Sequence, residues 1–297
     1  MDKCQPDSAQ VEQALAESLT LLERRKLKAG VSKLNRLIRS LPPTAPLYEV
    51  ACVELSAAYQ QQGDLRRAIA AMRRAVKASP TNPRYRVSLS IMYRETGSYR
   101  SALREARTAV ALSPGLLEAR ELLAEILVEY GLLEKAVSEA NAILKLAPNN
   151  TRALDLIGTA YLYQGRIHQA LRVVERLVRL CPGDPSHHLK RAVLLQQIGC
   201  LSDAIESYLR VMEMAPGTDL ADQASEAVQM LDEHQLRQIV LLASSDSLFR
   251  AKLSRDAVAA CQERGYHLSP DGASALMQIR FDSIPQALME WHYRTYN

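Results

Sequence analysis

"GDLRRAIAAMRRAVKASPTNP", residues 63–83, decides the fold. In it Gly63 is followed five residues on by Ala68, and Ala68 twelve residues on by Pro80. The same cadence returns along the chain. Glycine recurs at Gly97, Gly131, Gly165 and Gly199, alanine at Ala102, Ala136, Ala170 and Ala204, proline at Pro114, Pro148, Pro182 and Pro216. Each step is 34 residues (114 − 80 = 34). Three independent series keep one period over five units, which marks a tandem array of one supersecondary unit.

The unit over residues 151–184 shows what that unit is. Leu154, Ile157 and Tyr161, then Ala170, Val174 and Leu177, fall at spacings of three and four, the pattern of helices with one buried stripe. "QGRIH" separates the stripes, and its Gly165 suits the left-handed residue that follows a helix. Proline near the unit's end cannot continue the second helix. Each unit therefore reads helix, tight turn, helix, turn. Ser56, Ser90, Ala124, Gly158 and Ala192 share one place in the first helix, and Ala68 with its equivalents one place in the second. Small side chains at both places predict two helices packed near the close end of the ~8–10 Å range. Tyr59, Tyr93, Leu127, Tyr161 and Leu195 add bulk one turn on. A hairpin alone cannot bury its stripe, but stacked hairpins can.

These residues resemble the tetratricopeptide repeat. "DLIGTAYLYQGRIHQALRVVERLVRLCPGDP" follows its pattern most fully, with Ile157-Gly158, Tyr161, Gly165, Ala170 and Pro182 in the expected places. The resemblance covers residues 49–218 in five units: 49–82, 83–116, 117–150, 151–184 and 185–218. No unit has the family's early tryptophan, and Arg191 stands where leucine is usual. The resemblance implies an all-α, right-handed superhelical solenoid whose first helices line a concave groove that binds partners. Upstream, residues 1–48 read as a degenerate first repeat. Its second helix is "AGVSKLNRLIRSLP", and "PPTAPLYE" adds an extra turn, because Pro42 to Pro80 is 38 residues. Downstream, residues 219–232 have the place of a capping helix, and residues 233–297 form a small helical module.

Composition fits: 47% apolar residues, only 5% aromatic, no apolar run long enough for a membrane span, and no secretory h-region expected from the stretch "MDKCQPDSAQVEQ". Five scattered cysteines, Cys4, Cys52, Cys181, Cys200 and Cys261, read as free thiols of a cytoplasmic protein. The net charge is +4, unevenly spread. Arg24, Arg25, Lys26, Lys28, Lys33, Arg36 and Arg39 crowd the first unit, and Arg66, Arg67, Arg73, Arg74 and Lys77 continue the run. This is either a solvated convex face or a patch for nucleic acid or anionic lipid. No aromatics interleave with the cations, so a nucleic-acid partner is not expected.

No phosphate loop, H-E-x-x-H, G-x-S-x-G or metal-ligand cluster occurs. His187 and His188 are adjacent, so on a helix they point about 100° apart and cannot share one metal; a surface role is expected. The chain is read as a non-enzyme with no cofactor, metal or catalytic residue. For the groove, the resemblance directs attention to first helices. Glu118, Glu121, Glu125 and Glu129 form one acidic stripe, either a wet face or a seat for a basic segment of a partner protein or peptide. Like charges at this spacing repel by roughly 0.2–0.5 kcal/mol a pair. Arg84 and Arg94 before it, and Arg152, Asp155, Tyr163 and Lys190 after it, complete the expected groove, with Gln60, Gln61, Gln196 and Gln197 as uncharged donors and acceptors. The asparagine-and-lysine set by which some family members clamp a chaperone's C-terminal carboxylate is not apparent.

In the last stretch, "LSPDGASAL" should open a helix, with Ser269 as cap and Pro270 in the first turn. Phe249-Arg250, Leu253, Asp256, Ala260, Gly265 and Leu268-Ser269 faintly resemble the small helical subunit domain of protocatechuate-type ring-opening dioxygenases, or leader segments of ribosomally made modified peptides. Ala257 replaces the usual proline. Such a module would recognise substrate or peptide, making the chain an accessory subunit of an enzyme, or it would simply cap the array. Trp291, Tyr293 and Tyr296, with Ile284 and Leu288 at helical spacing, either fold back on the cap or mediate self-association. The reading is a scaffold or adaptor that binds a protein in its groove, with the accessory-subunit role as the alternative.

Overall fold

The turn glycines do what their spacing implies. In the computed structural model, which describes residues 8–281, Gly63, Gly97, Gly131, Gly165 and Gly199 have φ of +70 to +87°. The residue after the glycine donates to the carbonyl five back, as in Ser98 N to Tyr93 O (2.8 Å) and Cys200 N to Leu195 O (2.9 Å). This satisfies helix-end carbonyls and turns the chain into the next helix. Every regular element among the described residues is helical.

Two compact units divide the chain between Gln164 and Gly165. The first holds α1 (Ser8–Glu23), α2 (Leu27–Ser40), α3 (Pro46–Gln61), α4 (Leu65–Ala78), α5 (Pro83–Glu95), α6 (Tyr99–Leu112), α7 (Leu117–Glu129), α8 (Leu133–Leu146) and α9 (Thr151–Tyr163). Each helix packs on the next from α1 to α9, and α1 also touches α3, α5 touches α7, and α7 touches α9. The first helices of successive hairpins therefore form one layer and the second helices, α2, α4, α6 and α8, the other. Leu34, Leu55, Met72 and Met92 lie in one core cluster; Leu103, Leu123, Ile126 and Leu127 lie in the next.

The small-residue series is the closest contact. Ser56, Ser90, Ala124 and Ala192 are fully buried, as are Ala68, Ala102, Ala170 and Ala204, and Ala136 is 1% exposed. The two serines stitch their hairpins: Ser56 Oγ donates to Ala68 O (2.9 Å) and Ser90 Oγ to Ala102 O (2.8 Å). Each hydroxyl meets the alanine of its own hairpin's second helix, so a buried polar group is satisfied where no larger side chain fits.

The N-terminal pair, α1 and α2, keeps several places of the repeat at an offset of 38. Counting back 38 from Ser56, Gly63 and Ala68 gives Ser18, Arg25 and Gly30. Ser18 is fully buried, and a Cβ at Gly30 would lie 2.5 Å from Leu22 Cδ2. Arg25 takes the turn position with φ +55°, and Lys26 N makes the same bond to Leu21 O (2.9 Å). Much of the extra length becomes helix, since α3 has 16 residues against 13 in α5.

The second unit holds α10 (Ile167–Leu180), α11 (Pro185–Ile198), α12 (Leu201–Met214), α13 (Asp219–Ser245), α14 (Ser247–Arg255), α15 (Ala257–Glu263) and α16 (Pro270–Met277). Arg191, at the place of the usual leucine, donates to Ser207 Oγ (2.6 Å). The sequence reading divides capping helix from module at 232/233, but α13 runs unbroken through that point for 27 residues. The period would place a glycine at 233, and Glu233 stands there, so the helix continues. Ile239, Ala243, Phe249, Leu253, Ala260 and Leu276 form the core of the module. Ser269 caps α16, accepting from Gly272 N (3.1 Å), with Pro270 in its first turn. Cys52 and Cys261 are buried free thiols, Cys181 is half-buried and Cys200 exposed, and burial pushes the Cys261 thiol up to about 11. Cys4, Ile284, Leu288, Trp291, Tyr293 and Tyr296 lie outside the described residues, and with them the expectation about the tail.

Two substitutions test this packing. Ala136→Arg forces an unpaired charge into a filled contact and should cost about 3 kcal/mol or more; an unchanged melting temperature would refute the register. Arg25→Gly removes a left-handed L-residue worth roughly 1–2 kcal/mol of strain, offset in part by unfolded-state entropy, so stability should rise by about 0.5–1 kcal/mol in denaturant titration. A lower stability would show that the Arg25 side chain holds the turn.

Candidate functional site

The acidic stripe on α7 faces arginines of the repeats on either side. Arg94, near the end of α5, donates Nη1 to Glu125 Oε2 (2.8 Å) and Nη2 to Glu129 Oε1 (2.5 Å), with Nε 3.0 Å from both Glu129 oxygens. Arg152, in the first turn of α9, donates Nε to Glu125 Oε1 (2.5 Å), and its Nη1 lies 3.7 Å from Glu121 Oε2. Asn150 ends the ladder: its Nδ2 donates to Glu121 Oε1 (2.7 Å), while its Oδ1 caps α9 by accepting from Ala153 N (2.8 Å). The order Asn150–Glu121–Arg152–Glu125–Arg94–Glu129 thus crosses three successive first helices.

This corrects the picture drawn from α7 alone. Glu121, Glu125 and Glu129 are not a row of mutually repelling charges, because the guanidiniums of Arg94 and Arg152 lie between them. Two cations against three carboxylates leave one negative charge. The Glu129 hydrogen bond, foremost, raises the Arg94 pKa above its ordinary value. The Glu125 side chain is 13% exposed and that of Arg152 61%, so the ladder has a shielded centre and an open edge.

The other residues of the expected groove fall outside the ladder. Arg84 and Glu118 are exposed in the first turns of α5 and α7, and Tyr163, the last residue of α9, is 71% exposed. Asp155 is half-buried on α9. Lys190 is half-buried on α11 in the second unit. The structure brings together Arg94, Glu121, Glu125, Glu129 and Arg152, and adds Asn150, which the spacing of charges did not single out.

A second set escaped the sequence reading. Arg86 Nη2 donates to Pro80 O (3.0 Å) and Nη1 to Glu105 (2.9 Å); Arg120 Nε donates to Pro114 O (2.6 Å) and Nη1 to Glu139 (2.8 Å). His188 Nε2 lies 3.0 Å from Pro182 O. These residues keep the period (86 + 34 = 120), and each clips the inter-repeat turn to the next first helix. His188 is therefore a clip. His187, expected at the surface, is 8% exposed, because its neighbour takes the outward direction. Among the described residues no three His, Cys, Asp or Glu side chains are placed to hold a metal ion.

In the second unit, Asp232 of α13 accepts from Ser269 N (2.9 Å) and from Ser269 Oγ, and Gln235 exchanges two bonds with the His267 backbone (2.7 and 2.8 Å). A Cβ at Gly272 would fall on the Asp232 carboxylate. This buried pair fixes α16 to α13. A cavity of about 210 Å³ lies between α12 and the module, lined by Ser202, Ile205, Cys261, Tyr266, His267 and Leu276 among others.

The helix hairpins and their turn geometry define a repeat protein of the tetratricopeptide class. Tetratricopeptide-repeat models match residues 53–116, 93–160 and 157–231, together more than half of the chain, and the chain belongs to that family. A tetratricopeptide repeat protein from Parabacteroides merdae superimposes with a TM-score of 0.61 at 18% identity, over 90% of this chain and 97% of its own. MamA from Desulfovibrio magneticus gives 0.55 at 18% identity, over 59% and 99%. YrrB, described as a tetratricopeptide protein with an unusual peptide-binding site, gives 0.51 at 17% identity, over 60% and 92%. At these identities the likeness is one of fold. No curated protein matches the sequence.

Glu125→Gln should leave two guanidiniums sharing a neutral acceptor and cost about 1–2 kcal/mol. In a double-mutant cycle, Arg94→Ala with Glu125→Ala should show coupling that shrinks at high salt; coupling near zero would mean the ladder is ornamental to stability.

Proposed function

We propose that the chain is a protein-interaction scaffold that receives an extended segment of a partner along the first-helix layer of α5, α7 and α9. The observation that carries this reading is the ladder, which presents one fixed arrangement of charge across three repeats. Its shielded centre is held by several contacts per residue, so little side-chain entropy is lost when a partner docks. Arg152 offers donors at the open edge, and exposed Arg84, Glu118 and Tyr163 add groups of both signs. A partner of mixed charge suits this surface; Glu118 is the stripe member that would meet a basic side chain. Fold likeness to a peptide-binding relative supports the class of partner. The reading requires no catalysis by the chain.

A second reading, an accessory subunit that recognises substrate or peptide through the C-terminal module, has the cavity beside Tyr266 and His267 behind it. One experiment separates the two. Partners captured from the source cells are measured against the full chain, against Arg152→Ala with Tyr163→Ala, and against Tyr266→Ala with His267→Ala. The first pair should weaken binding at least tenfold while lowering stability by only about 1 kcal/mol, the part of the ladder that the Arg152–Glu125 pair supplies. Binding lost only with the second pair would reject the groove in favour of the module.

A further inference from the structure

The layer opposite the proposed groove carries a charge field of its own. The first helices of the first unit touch one another, so α2, α4 and α6 present their outer faces on the other side. α2 contains four cations and no acid, α4 five cations and no acid, and α6 three cations with one acid. That acid, Glu105, is buried between Arg86 and Arg104. No exposed carboxylate therefore belongs to these helices, and their net charge is +11 (4 + 5 + 3 − 1) in a chain whose total is +4.

All of the cations but Lys33, which is half-buried and paired with Glu17 of α1, are exposed. Lys28, Arg36 and Arg39 are exposed on α2, Arg66, Arg73 and Lys77 on α4, and Arg104 and Arg107 on α6. Three 14-residue helices of successive hairpins, each about 20 Å long, carry this field. Burying the stripe of each helix dictates none of this, because any polar side chains would serve on the outer face. Concentrated like charge also works against the compact state.

The texture of the field selects its partner. Leu112, at the end of α6, is the one large apolar side chain exposed on the three helices. The one aromatic residue of the three helices, Tyr99 at the start of α6, is half-buried and engaged with Tyr130 (ring centroids 6.2 Å), so the field has no run of aromatic platforms to hold nucleic acid in register. It is broad in two dimensions and smooth, the form that suits a sheet of mobile anionic headgroups. We propose that the α2–α4–α6 face docks peripherally on an anionic phospholipid surface, leaving the first-helix layer open to the partner protein. Each Lys or Arg held near such a surface multiplies binding roughly fivefold. No described helix is long and apolar enough to cross a membrane, and without apolar wedges the attachment is electrostatic and salt-labile.

The test is cosedimentation of the full chain with vesicles of phosphatidylcholine and phosphatidylserine in equal parts, and with vesicles of phosphatidylcholine alone. The chain should bind the first at low salt, release at high salt, and ignore the second. Arg66→Glu with Arg73→Glu and Lys77→Glu should weaken binding at least tenfold. Arg172→Glu with Arg179→Glu and Arg210→Glu, an equal change of net charge on exposed residues of the second unit, should leave most of it. Equal loss in both triple variants would reduce the effect to net charge and overturn the assignment. So would absence of binding to the mixed vesicles, or binding to both kinds alike. Duplex DNA added in excess supplies the last arm: if DNA strips the chain from vesicles and vesicles fail to strip it from DNA, the field serves nucleic acid and the proposal fails.

Discussion

Everything in the repeats depends on one close approach, that of a small residue in the first helix to a small residue in the second. It sets the distance between the helices and so fixes which larger side chains reach the next hairpin. Ser56 and Ser90 show how tight it is, since their hydroxyls reach the backbone carbonyls of Ala68 and Ala102 directly. A left-handed residue must follow the first helix if the second is to return at that distance. The first hairpin proves the rule by shifting its parts: Gly30 supplies the smallness, and the turn accepts Arg25 in a conformation that most L-residues avoid.

Given that frame, the two layers of the first unit are free to carry different charge. The first helices place acids on α7 and arginines on α5 and α9, which meet as a ladder. The second helices α2, α4 and α6 carry cations almost alone. Charge of one sign pairs inward on one layer and stays outward on the other. The first arrangement fixes geometry and suits recognition of a particular segment; the second supplies long-range attraction that is sensitive to salt.

The array stops where its rules lapse. Glu233 occupies the place due to glycine, so α13 does not turn, and its second half becomes a platform for α14, α15 and α16. Two polar side chains of α13, Asp232 and Gln235, are buried there because backbone groups at 267 and 269 need partners. Apolar packing around Phe249 and Ile239 does the rest.

The period, the helix boundaries near each glycine and proline, and the buried stripe were all legible in the sequence, because each follows from local conformational preference and recurs often enough to exceed chance. Of the N-terminal hairpin, the sequence offered only the second helix and the 38-residue spacing of its proline; that Ser18 and Gly30 take the small-residue places came from the fold. What the linear order could not supply was the company each charge keeps. Glu125 lies 27 residues from Arg152 and 31 from Arg94, and only the stacking of α5, α7 and α9 brings the three together. Read alone, α7 showed four like charges. In the fold, three of them belong to a network with its own counterions. Tertiary structure likewise decided that Arg86, Arg120 and His188 clip turn carbonyls and that His187 is buried, because side-chain direction depends on which helix stands opposite. Local chemistry therefore determined the hairpins, and packing between hairpins determined which of their charges face a partner.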